Sequence, residues 1–272
     1  MIGQSKLKSL LSYQISKNVF PRFSILTGIR GSGKKLLCKY IADKLNATLY
    51  PIDTSVDSIR SLGDLSYKLT NRILFMIADA DNMSVQAMNA LLKTVEEPHG
   101  DIYIVMTLED KVNTLPTILS RAIVFPMDTY STDDILAYYT MNYSGATNSD
   151  KSLISSVCIV PGDVDMLVNN GTKTLYSFVE KVVDNIATVS GANAFKISVN
   201  IKFKDTDQNK YDLRLFWQIF SSICLSRLAT DIDKYSNGII ITSKWSQELR
   251  YKNLSRQMLF DMWLLDIRKA WL

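Results

Sequence analysis

Histidine occurs once in the 272-residue chain, at His99, and cysteine three times, at Cys38, Cys158 and Cys224. One imidazole leaves almost no material for Ser-His-Asp catalysis or a multi-histidine metal site. The cysteines are far apart and form no C-x-x-C pair, which excludes a structural zinc site of that kind. An odd, sparse set also argues against a disulfide-stapled secreted scaffold. No apolar run reaches the roughly 18 residues of a membrane span, and the first residues lack the apolar core of a secretory signal. The expectation is a soluble chain in a reducing, intracellular compartment, with no zinc and no membrane partner. Charge is nearly balanced: 31 Lys and Arg against 27 Asp and Glu leave +4. That is far from a histone-like neutraliser of DNA. A hydrophobic share of 47% with 21% charged residues is ordinary for a globular protein and argues against disorder. At roughly 150 residues per domain, the length corresponds to about two domains, or three small ones.

The first 127 residues alternate strand and helix signals. Ser24 to Thr27 is a short apolar strand ending at Gly28, and Lys35 to Leu45 has its apolar residues at helical spacing. Thr48 to Ile52 is a second strand candidate. Ile73 to Ala78 is a continuous apolar run, as for a strand buried on both faces. Ser84 can cap the next helix, whose Val85, Met88, Leu91, Leu92 and Val95 share a face, and Pro98 stops it. Asp101 to Thr107 and Ala122 to Pro126 read as further strands. This rhythm predicts an α/β domain, a parallel sheet with helices on both faces.

Beyond Asp128 the pattern turns helical. Ser131 or Thr132 caps a helix, a second runs near Lys151 to Cys158 and is broken by Pro161-Gly162, and a third begins near Asp163. Leu213 to Ala229 is apolar nearly all round. Leu249 to Trp271 is amphipathic, with Leu254, Met258, Met262 and Leu265 on one side. Lys196 to Phe203 instead alternates with period two, like a strand. The polar stretches Asn142–Lys151 and Asp205–Lys210 read as loops.

The sharpest motif is Gly28-Ile29-Arg30-Gly31-Ser32-Gly33-Lys34-Lys35, between a strand and a helix as a phosphate loop requires. Gly28, Gly31 and Gly33 let the backbone wrap a phosphate, the amides around Ser32 point inward, and the helix start favours negative charge. Lys34 would reach the β and γ phosphates. Lys35 stands where a Ser/Thr hydroxyl normally ligates Mg²⁺, and its ammonium would repel the ion. At the end of the buried strand, Ala78-Asp79-Ala80-Asp81 supplies acids in an unusual register for an ATPase.

Asn89-Ala90-Leu91-Leu92-Lys93-Thr94-Val95-Glu96-Glu97-Pro98 resembles the N-A-L-L-K-x-x-E-E-P stretch of clamp-loader AAA+ subunits. Leu115-Pro116-Thr117-Ile118-Leu119-Ser120-Arg121-Ala122 resembles their L-P-T-I-x-S-R-C motif, and Ile2-Gly3-Gln4 resembles the box near their adenine site. These three motifs and the phosphate loop agree in order and spacing over residues 2 to 126. The likeness is greatest to the delta-prime type of bacterial clamp loaders. It implies an AAA+ P-loop domain at 1–128, a helical lid at 129–180 and an all-α collar at 181–272.

Three departures from the ATP-hydrolysing members point one way. Against their D-E-A-D, Ala78 falls on the Mg²⁺-binding aspartate and Asp79 on the catalytic glutamate. Asp165 falls where those members carry a γ-phosphate arginine. With Lys35, these changes remove both protein ligands for the metal, so no metal site is expected. ATP or ADP binding, if retained at the loop, is weak or structural. The sensor threonine falls on Thr107, or on Leu108 if the alignment has a one-residue gap. Arg121 and its neighbour Ser120 are intact, and in the resembling family this arginine reaches a neighbour's ATP in trans. The family's four-cysteine zinc module is absent, since only Cys38 falls between the loop and the acidic strand.

The resemblance implies a ring of clamp-loader AAA+ subunits as partners, together with a sliding clamp and primer–template DNA, in a bacterial cytoplasm. The compact form suits a phage or a reduced bacterial genome alike. The Leu213–Ala229 helix and the Met/Trp-rich tail fit collar interface and intramolecular core equally. Lys6, Lys8, Lys17 and Arg22 are candidates for a DNA-facing surface. The competing reading is an active motor subunit that forms homo-oligomers, with Asp79 or Asp81 recruited to Mg²⁺. A P-loop scaffold outside replication is a third.

Overall fold

The computed structural model describes residues 2–68, 71–144, 147–186, 212–251 and 254–272. These divide into two compact units, Met1–Asp134 and Ile135–Leu272. The expected collar falls in the second, and so does the expected lid from residue 135 on.

In the first unit, α1 (Ser5–Ser16), β1 (Phe23–Thr27), α2 (Lys34–Leu45), β2 (Thr48–Ile52), α3 (Val56–Lys68) and β3 (Ile73–Ile77) are followed by a 3₁₀ turn at Ala80–Asn82. Then come α4 (Val85–Glu96), β4 (Ile102–Leu108), α5 (Pro116–Leu119) and β5 (Ile123–Pro126). The strands form one parallel sheet in the order β2-β3-β4-β1-β5. The central β3 and β4 are buried throughout, as their unbroken apolar runs predict. Alternation sorts their side chains. Ile73, Phe75 and Ile77 pack with α3 and α4, whereas Leu74 and Met76 pack with α1 and α2. Ser84 caps α4 by accepting from the Ala87 amide at 3.1 Å. The sequence pattern did not reveal α3, whose buried stripe consists of little more than Ile59 and Leu62.

The second unit holds α6 (Thr132–Asn142, beginning at the boundary), α7 (Asn148–Val157), α8 (Pro161–Asn169) and α9 (Thr172–Asn185). After them come α10 (Leu213–Ser226), α11 (Ile232–Glu248) and α12 (Arg256–Trp271). Pro161 starts α8 rather than merely breaking α7, because a proline at the first helical position loses no hydrogen bond. The stretch read as a loop from Asn142 is helical from Asn148, where Thr147 caps α7. The strand expected at Lys196–Phe203 and the loop at Asp205–Lys210 lie outside the described residues.

Phe216 and Phe220 of α10 meet Trp263 of α12 edge to face, at ring centroid distances of 5.6 and 4.8 Å. Most of the large apolar α10 side chains are therefore core, while Leu225 is exposed. In α12 the Met and Leu stripe noted in the sequence is the exposed one. Leu259, Phe260, Trp263, Leu264 and Ile267 are buried, while Met258, Met262 and Leu265 face outward. The helix carries apolar residues on both sides, and the aromatic side packs better against α10.

All three cysteines are buried and unpaired. Burial pushes the Cys38 and Cys224 thiols up to about 12, so both stay protonated near neutrality. Among the described residues, no helix is long and apolar enough to cross a membrane.

Candidate functional site

Because the sheet is parallel, the carboxyl ends of β1, β3 and β4 open together, the usual place for a ligand in such a fold. The phosphate-loop candidate leaves β1 at this end. Gly31 and Gly33 have φ of 85° and 88°, left-handed values that favour glycine. At Gly28 the constraint is space. A Cβ there would lie 2.9 Å from the Met127 Cβ and 3.0 Å from the Ser32 Oγ. The Gly28 amide donates to the Leu108 carbonyl at 3.1 Å, tying the loop to the end of β4.

Lys34 is buried, and its ammonium donates to the loop's own Gly28 carbonyl and to the Ile29 carbonyl at 3.1 Å. The Ser32 hydroxyl is buried inside the loop with no hydrogen-bond partner in the protein. Tyr130, which the sequence did not flag, donates from its hydroxyl to the Ser32 carbonyl at 2.6 Å. Burial raises the Tyr130 pKa and so preserves that donor.

Lys35 turns toward the end of β3. Its ammonium lies 2.7 Å from the Asp79 carboxylate, and both side chains are about half exposed. Asp79 has a left-handed backbone, φ 52°, and its amide donates to the Thr107 hydroxyl at 2.9 Å. Thr107, not Leu108, therefore presents a hydroxyl to this site, while Leu108 packs in the core. Asp81 points elsewhere and accepts from the Glu109 amide at 2.8 Å.

These residues do not fit a magnesium ion. The hydroxyl position is an ammonium, position 78 is alanine, and the one nearby carboxylate already pairs with Lys35. Among the described residues, no group of three or more acids, histidines or cysteines could hold a metal. Asp165 is engaged as well, accepting from the Tyr138 and Tyr143 hydroxyls at 2.9 and 2.7 Å. Burial first, and then this carboxylate, pushes Tyr138 up to about 12.

Arg121 lies at the opposite end of the sheet. The β1–β5 register pairs Ser24 with Ile123, so Arg121 falls beyond the amino end of β1, against Pro21, Arg22 and Phe23. The whole of β1, roughly 15 Å at about 3.3 Å per residue, separates it from the phosphate loop. Glu96, at the end of α4, holds its guanidinium at 2.6 Å. The Thr117 carbonyl accepts from the same guanidinium at 3.0 Å, and Ser120 bonds that carbonyl too, at 3.1 Å. Glu96 was legible only as part of a motif, not as the partner of Arg121.

Two further residues singled out in the sequence have partners within the fold. Gln4 staples the N-terminal segment to the end of the sheet domain: its amide donates to the Asp128 carbonyl and accepts from the Asp128 amide, both at 2.7 Å. Arg22 pairs with Asp101 at 2.5 Å and covers the Tyr103 ring, so it is partly committed within the fold.

The architecture is a five-stranded parallel sheet flanked by helices, followed by an all-helical unit. A DNA polymerase III gamma subunit-related protein of Thermotoga maritima shares the fold, with a TM-score of 0.50 at 16% identity, over 97% of this chain and 99% of that one. Residues 52–131 match the family model described as DNA polymerase III, delta subunit. The gamma subunit of Buchnera aphidicola from Schizaphis graminum is 25% identical over 189 residues, 58% of this chain and 52% of that protein. The delta-prime subunit of Pseudomonas aeruginosa is 37% identical over 71 residues, 25% of this chain and 22% of that one. The chain thus spans about half or less of the curated relatives it matches. The likeness to clamp-loader AAA+ subunits, read from the motifs, holds in both sequence and fold.

Proposed function

We propose that this chain is an ATPase-deficient, delta-prime-like stator of a bacterial clamp loader, which supplies Arg121 to the ATP of a neighbouring subunit. The observation that carries the reading is the position of Arg121, a strand's length from the chain's own phosphate loop. An arginine so placed is out of reach of its own phosphate loop, which suits a nucleotide presented by another chain. The loop's incompatibility with magnesium supports the same division of labour: phosphoryl transfer needs the metal to neutralise developing charge. Its partners on this reading are AAA+ clamp-loader subunits, a sliding clamp and primer–template DNA in a bacterial cytoplasm. The exposed Met258, Met262 and Leu265 suit a collar contact with other subunits.

In the trans complex Arg121 leaves Glu96. This exchange is cheap, because a half-exposed ion pair is worth about 1 kcal/mol or less. An arginine finger in trans is worth about 10³-fold or more in rate. Arg121→Ala is therefore expected to cut ATP turnover of the reconstituted complex by that order while gel filtration shows unchanged assembly. Unchanged turnover refutes the finger. No observation favours the homo-oligomeric motor, since Asp79 is paired with Lys35 and Asp81 is bound to a backbone amide.

A further inference from the structure

We propose that Lys35 is a built-in cation that stands in for the metal, so that the loop takes the diphosphate of a nucleotide without Mg²⁺. The proposal rests on the reading of residues 28–34 as a phosphate loop and says how that loop is charged.

Two independent features of the loop call for an anion. The Ser32 hydroxyl is buried within it and unpartnered, a state that costs free energy until a ligand supplies the bond. Lys34 donates to the loop's own carbonyls, which are poorer acceptors than a phosphate oxygen. An arriving diphosphate would take over that ammonium.

The obstacle is Asp79. A carboxylate beside a polyphosphate is repulsive, and in a working ATPase a metal ion compensates it. Here Lys35, 2.7 Å from Asp79, already does so. The Lys35 stem starts at the second residue of α2, adjacent to Lys34 and therefore beside the place a diphosphate would take. Its half-exposed ammonium can bridge carboxylate and phosphate as a metal would. The backbone of Asp79 is pinned by the Thr107 hydroxyl, so the bridge has a fixed end. Magnesium could gain Asp79 only by displacing a cation already in contact with it.

The test is calorimetric titration of the whole chain with ADP, once in EDTA and once in excess Mg²⁺. The expected result is the same affinity in both, within about twofold. Lys35→Gln removes the charge without supplying a metal ligand. It is expected to weaken ADP about tenfold or more in both conditions, the scale of one charged hydrogen bond. Lys35→Thr restores the hydroxyl. It is expected to lose the same affinity in EDTA and to recover part of it with Mg²⁺. Circular dichroism checks that these solvent-exposed substitutions leave the fold intact.

Binding that needs Mg²⁺ in the unmodified chain, or a Lys35→Gln chain that binds ADP normally in EDTA, overturns the proposal. So does the absence of ADP binding in either condition. None of these three results refutes the stator reading, although Mg²⁺-dependent binding removes one of its supports; that reading fails on Mg²⁺-dependent ATP turnover by the chain itself.

Discussion

Replacing Arg214 with methionine strands a carboxylate in the core of the second unit. Asp163 is fully buried and accepts four hydrogen bonds. Two come from the Arg214 guanidinium, at 2.6 and 3.3 Å, and two from the Ile159 and Val160 amides, at 3.1 and 3.3 Å. Burial pushes the Asp163 pKa up, and Arg214 is the largest influence pulling it back. Methionine keeps most of the side-chain volume but removes the charge, so Arg214→Met should cost about 3–5 kcal/mol at pH 7, the usual result of breaking a buried pair from one side. Asp163→Asn in the same background removes the orphaned charge and should recover most of that loss.

All four tryptophans, Trp217, Trp245, Trp263 and Trp271, lie in the second unit, so their fluorescence reports its unfolding alone. With a urea slope of about 2 kcal/mol per molar, the midpoint should fall by roughly 2 M. The sign of the pH dependence is fixed. A carboxyl whose folded pKa lies above its unfolded value contributes stability at low pH and loses it as pH rises through the folded pKa. Without Arg214 that pKa rises further, so the deficit should be largest near neutrality and shrink toward pH 4. A midpoint within about 0.5 M of the parent, or a deficit independent of pH, refutes the reasoning.

Gly28→Ala forces a methyl group against Met127 and Ser32, and overpacking of this kind costs about 1–3 kcal/mol. Faster amide hydrogen exchange across residues 28–34 should record it, and unchanged protection contradicts the close approach. At the other end of the sheet, hydrogen bonding from Arg72, with Arg22, holds the Asp101 carboxyl below the usual range. This depressed pKa contributes stability above the unfolded value near 3.9, and the contribution is lost as pH falls through the folded value. Asp101→Asn should therefore destabilise the first unit at pH 7, with the gap closing below about pH 4 in acid titration followed by circular dichroism.

What the sequence revealed was local. The glycine spacing of residues 28–34, the Ser84 cap and the apolar β3 run each carry their structural cause within a few residues. The pairings that decide the site are long-range, and nothing in the linear pattern signals them. Lys35 meets Asp79 only because β1 and β3 end on the same side of one parallel sheet. Glu96 meets Arg121 only because α4 ends where α5 begins its turn toward β5. Which apolar face of α12 turns outward is illegible in the sequence for a related reason. Its Met and Leu stripe is as apolar as its aromatic stripe, and only the shape of α10 selects between them.

The most direct test of the central claim is steady-state ATP hydrolysis by the purified chain with Mg²⁺, at concentrations high enough to oligomerise, beside a Lys34→Ala control. The account predicts a rate indistinguishable from the control. A clear Mg²⁺-dependent rate that Lys34→Ala abolishes would contradict it, and would make this chain a motor whose metal site does not depend on Asp79 being free.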